Sequence, residues 1–127
     1  MTSVLEDKVI VTCKNNYTLT DNMTLHFPGI ELEGSALTEE DEADVLEFAS
    51  KENFDYVCLT NTRKATDVEH LQNYMNEANI KNIGIIAKID TNEGLNNFEE
   101  ILDVADGIMI CRADLSLEIP AEKVYVA

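Results

Sequence analysis

Residues 106–124 read DGIMICRADLSLEIPAEKV, and the fold follows from how this stretch changes character. After Gly107 comes a short apolar run, Ile108-Met109-Ile110-Cys111, with the length and branched side chains of a strand buried on both faces. Arg112 and Asp114 then bring charge where that strand ends. In a parallel α/β sheet, sites are built at the carboxyl ends of strands. Pro120, followed by Ala121, Glu122 and Lys123, predicts the first turn of a helix, because proline lacks an N–H that would be unpaired there anyway.

Working back from this strand, residues 83–89 form the most apolar run of the chain and are predicted to be another strand, ending in Lys88 and Asp90. The segment between them, residues 96–105, predicts a helix burying Phe98, Ile101, Leu102 and Ala105. Residues 54–59 predict a strand with Thr60-Asn61-Thr62-Arg63 as its exit loop, and residues 65–78 a helix with Val68, Leu71, Met75 and Ala78 at spacings of three and four. A further helix starts at Thr38, whose hydroxyl can cap free N–H groups with Asp41 three residues on, and runs to about Ser50. Helix alternating with strand implies parallel strands. Before this series, residues 8–15 alternate partly and residues 23–27 offer a second extended piece, closed by Phe27-Pro28-Gly29.

Composition limits the function classes. The 127 residues suffice for one domain with a core, and 45% hydrophobic with 27% charged residues argues against wholesale disorder. A formal net charge of −16, from 25 acids against 9 bases, opposes association with nucleic acid or an anionic membrane. No apolar run approaches the roughly 20 residues that cross a bilayer, and no basic stretch with an apolar core opens the chain, so a cytoplasmic location is expected. Cys13, Cys58 and Cys111 are widely spaced and lie in apolar runs, which predicts buried thiols rather than zinc ligands or disulfides.

Lys88 and Asp90, two apart at a strand end, share a face, and Asp114 at the end of the next strand can approach them. One cation and two carboxylates at a common point suit phosphoryl transfer, in which magnesium is held by one or two carboxylates and a lysine offsets charge on the moving group.

Residues 106–124 closely resemble the pyruvate kinase segment that usually reads DGIMVARGDLGxEIPxEKV. The segments ALTEED (36–41), RKATDV (63–68) and EGLNNFEEILDVADGIM (93–109) also have close counterparts there, so the resemblance covers roughly residues 24–127. It implies an α/β fold: a partial (β/α)₈ TIM barrel of about three βα units, residues 29–127, preceded by a short β segment, residues 1–28, as the remnant of the family's β lid domain. The earlier and later barrel strands have no counterpart here.

The resemblance also implies roles. Lys88 matches the lysine that assists transfer between phosphoenolpyruvate and ADP, Asp90 and Asp114 match the Mg²⁺ ligands, and Thr60 and Ala113 match positions beside the substrate. K⁺ is a cofactor of the family, but its ligands lie in segments without counterparts in this chain. Three positions depart from the pattern. Asp90 stands for glutamate and is shorter by about 1.5 Å, where Mg²⁺ tolerates little departure from about 2.1 Å. Ala113 and Ser116 stand for glycines, where a methyl or hydroxymethyl group opposes positive φ or close approach.

The expectation is a pyruvate kinase homologue that is truncated and inactive as this chain alone, acting only when a homo- or hetero-oligomer completes the barrel. The alternative is a non-catalytic interaction or structural protein that uses the open edges of the partial barrel. An incomplete gene product is the third reading.

Overall fold

The structure, a computed structural model, describes residues 3–21, 23–31, 33–49 and 51–126. Met1, Thr2, Asn22, Leu32, Ser50 and Ala127 lie outside the described residues. The centre is a three-stranded parallel sheet of β3 (Tyr56–Leu59), β4 (Gly84–Ile89) and β5 (Gly107–Ile110), in that spatial order. Register pairs Leu59 with Ala87 and Ile89 with Ile110, so the three carboxyl ends lie side by side.

The connections are helical, as the periodicity predicts. Helix α1 (Glu39–Ala49) precedes β3, α2 (Ala65–Glu77) joins β3 to β4, and α3 (Asn92–Asn96) with α4 (Phe98–Val104) joins β4 to β5. Val68, Leu71 and Met75 of α2 and Ile101 of α4 bury against Leu59, Ile85, Ala87 and Ile89. Strand β4 alternates, and its second face, with Ile86 and Lys88, carries only partly buried residues. The three βα units therefore form an arc of a barrel that the described residues do not close.

Several expectations need correction. Strand β5 is not buried on both faces: Met109 and Ile110 are 45% and 37% exposed, because it is an outer strand of this sheet. The thiols are not buried either. Cys13 and Cys58 are exposed and Cys111 is intermediate, since Cys58 points to the uncovered face beside Lys88. Residues 23–27 form no strand; the extended N-terminal pieces are β1 (Ser3–Val4) and β2 (Val9–Ile10), paired antiparallel.

The helix expected over residues 96–105 is α4, and a short helix the sequence reading did not anticipate, α3, precedes it. Asn97 stands between the two, and its side-chain amide donates to the Arg63 carbonyl at 2.8 Å. After β5 the chain turns into α5 (Arg112–Glu118), which carries both departures from glycine, Ala113 and Ser116. Neither has positive φ: among the described non-glycine residues that conformation belongs to Asn61, Asn79 and Asn82. An ordinary helical turn accepts both side chains, and the Ser116 hydroxyl donates to the Ala113 carbonyl at 2.6 Å. Pro120 leads into a single 3₁₀ turn, Ala121–Lys123.

Candidate active site

The carboxyl end of β4 delivers Lys88 and Asp90, and the first turn of α5 delivers Asp114. These three side chains meet. The Lys88 ammonium donates to Asp114 Oδ2 at 3.1 Å and lies 3.3 Å from Asp90 Oδ2. Its pKa is raised: burial alone would lower it, but the bonds to Asp114 and Asp90 outweigh that. Asp114 is held below the usual carboxylate range, first by the Cys111 thiol, which donates to Oδ2 at 2.9 Å, and then by Lys88.

Asp90 is buried at 4% exposure. Its Oδ2 accepts the Asn61 backbone N–H at 3.2 Å, and Asn61 reaches that position because it sits in the left-handed region, φ 53°, at the exit of β3. Its Oδ1 has no hydrogen-bond partner. Buried carboxylate oxygens are normally satisfied, so this unpaired one, on a residue that lines a cleft, points to a missing cationic or protic partner.

That cleft has a volume of about 370 Å³. Thr60, Lys88, Asp90 and Asp114 line it together, whereas Ala113 is not among the lining residues. Its outer wall is the segment from Thr24 to Glu31. His26 in that wall lies 3.3 Å from Glu118 of α5, which ties the wall to the helix that carries Asp114. The sequence reading missed Asn61, Cys111, His26 and Glu118. Only Asn61 left a local signal, as an asparagine at a strand exit; the others act through contacts far apart in sequence or through a backbone turn.

Two arginines have different settings. Arg63, which also lines the cleft, donates to the Gly34 carbonyl at 2.6 Å while its backbone N–H donates to Asp67. Arg112 forms no ion pair among the described residues. Next to Glu93 of the cleft wall, the Gly94 N–H is capped by the Thr91 hydroxyl, and Gly94 packs directly against the Thr62 carbonyl.

Three parallel βα units, with the Lys88 ammonium between two carboxylates at the strand ends, define an open part of an α/β barrel domain. The family model for the barrel domain of pyruvate kinase matches residues 1–127, reaching further toward the N-terminus than the motifs alone indicate. The chain belongs to the pyruvate kinase family. It is 40% identical over 129 residues to a pyruvate kinase of Dictyostelium discoideum, covering 100% of this chain and 25% of that protein. To a pyruvate kinase of Schizosaccharomyces pombe it is 41% identical, covering 97% of this chain and 24% of the other. A cytosolic isozyme from Solanum tuberosum is 35% identical, covering 91% of this chain and 22% of its own length. The chain thus spans about a quarter of the length of the curated relatives it matches.

Pyruvate kinases use Mg²⁺ and K⁺. Among the described residues no group of three or more His, Cys, Asp or Glu side chains converges on a metal position. Magnesium does not require one, since it commonly takes one or two carboxylates and completes its shell with water and substrate oxygens. Asp90, with its unpaired Oδ1, and Asp114 fit that pattern. No helix among the described residues is long and apolar enough to cross a membrane.

Proposed function

We propose that this chain carries the central phosphoryl-transfer residues of a pyruvate kinase, with phosphoenolpyruvate and ADP as substrates and a cytoplasmic location, and that these 127 residues do not turn over by themselves. The convergence of Lys88, Asp90 and Asp114 at the β4 and β5 strand ends carries this reading. Asp90 and Asp114 would hold Mg²⁺, which when bound offsets phosphate charge and aligns the transferring group. Lys88 places a fixed positive charge beside the phosphoryl group as it leaves the enol oxygen of phosphoenolpyruvate for the β-phosphate of ADP. The Thr60 hydroxyl, on the same cleft wall, is a donor to phosphate oxygens. Ala113 is assigned to the substrate side on the resemblance, through its backbone.

Inactivity of the isolated chain follows from what its residues supply. The single arc offers one cation and two carboxylates, and losing one transition-state donor typically costs ~10²–10³ in rate. A coupled assay of pyruvate formation with Mg²⁺, K⁺, phosphoenolpyruvate and ADP tests this: no turnover above background is expected. Turnover near the ordinary range of about 1–10³ s⁻¹ would show that the chain suffices.

A non-catalytic role is the second reading, favoured by the exposure of Tyr56, Met109 and Ile110 on the outer strands. Unpaired strand edges template pairing with another chain.

A further inference from the structure

The Lys88 ammonium stands in an unusual place for a group meant to face a substrate. It lies between the two carboxylates, 3.3 Å and 3.1 Å from their Oδ2 atoms. Those same oxygens also accept the Asn61 N–H and the Cys111 S–H, so both are fully engaged, while Asp90 Oδ1 stays buried and unpaired. A divalent cation bound to these carboxylates sits about 2.1 Å from their oxygens. An ammonium touching the same oxygens would then lie within a few ångströms of it, and a single and a double positive charge that close repel by more than the thermal energy even in water.

We propose that Lys88 is a built-in occupant of the cation seat, and that a divalent cation binding to Asp90 and Asp114 displaces its ammonium into the cleft. The displaced side chain has somewhere to go, because its four-carbon stem is flexible and the adjoining cleft has a volume of about 370 Å³. Until a cation arrives, the lysine neutralises the two carboxylates and is withheld from substrate. Cation binding and presentation of the positive charge to an anionic phosphoryl group are therefore one event. The inference rests on reading the site as a metal-dependent phosphoryl-transfer site.

The test is cation binding rather than turnover. Mn²⁺ is titrated into the full 127-residue chain and its Lys88→Met and Asp114→Asn forms, with free Mn²⁺ followed by electron paramagnetic resonance. Lys88→Met is expected to bind on the order of tenfold more tightly than wild type, since it removes the competing charge, and Asp114→Asn to lose binding. Unchanged or weaker binding in Lys88→Met, with binding still lost in Asp114→Asn, overturns the displacement and leaves the metal site standing. No binding by a folded wild-type chain removes both readings. In unsubstituted protein, saturating Mg²⁺ should move the Lys88 ammonium resonance to the position of solvent-exposed lysines; a Lys88 signal that stays put at saturation also overturns the displacement.

Discussion

Asp90 is one methylene short of the glutamate that the resemblance implies at this position, and its carboxylate accepts the Asn61 N–H and lies beside the Lys88 ammonium, with one oxygen unpaired. Restoring the glutamate carries the carboxylate about 1.5 Å further into the cleft. Asp90→Glu is expected to raise Mg²⁺ affinity about tenfold, ~1.4 kcal/mol, measured by isothermal titration calorimetry. Gly94 gives a second prediction at this scale. A Cβ there would collide with the Thr62 carbonyl, and Thr62 is wholly buried with its hydroxyl donated to Leu59. Gly94→Ala should cost ~1–3 kcal/mol in urea unfolding, because backbone rather than a flexible side chain must move.

Among the elements, α1 shows most directly how sequence becomes structure. Thr38 and Asp41 cap one another: the Thr38 N–H and hydroxyl both donate to Asp41 Oδ2, and the Asp41 N–H donates back to the hydroxyl. These bonds, the hydroxyl's first, lower the Asp41 pKa. A depressed carboxylate contributes stability that is present above its ordinary titration range and lost as pH falls through the depressed value. Helicity of α1 should therefore hold across neutral pH and fall in acid below the ordinary carboxylate range, followed by circular dichroism. Thr38→Ala should remove about 1 kcal/mol at neutral pH. The connection from β4 to β5 shows the opposite case. Its apolar spacing predicts the helix found as α4 but not the short α3 before it, which starts where the Thr91 hydroxyl accepts the Gly94 N–H and ends at Asn97, whose amide donates to the Arg63 carbonyl. Periodicity reports which residues are apolar, and it is silent about a polar side chain recruited by a distant carbonyl.

For the whole molecule, stability rests on one side of the sheet. Leu71 and Ile101 are fully enclosed between helices and strands. Either Leu71→Ala or Ile101→Ala should cost about 2–5 kcal/mol, a large share of the roughly 5–15 kcal/mol that a domain has in total. The other side is unfinished among the described residues, with Tyr56 and Met109 exposed, and Ile110, in register with Ile89 on the helix side, is left partly open at the sheet edge. Light scattering of the 127-residue chain should accordingly show a dimer or larger assembly, and a stable monomer would count against pairing through these edges.

Strand and helix order, the parallel sheet and the meeting of Lys88, Asp90 and Asp114 were legible in the sequence, because hydrophobic period and residue parity are local properties of the chain. The family motif added roles for those residues. The sequence could not show that Ala113 and Ser116 sit harmlessly in a helix, that Cys111 and Asn61 bond the two carboxylates, or that residues 24–31 wall the cleft and are tied to α5 by His26 and Glu118. Nor could it show which face of β5 stays open. Those facts depend on which groups are brought within about 3 Å of each other, and only the packing of the βα units onto one another decides that.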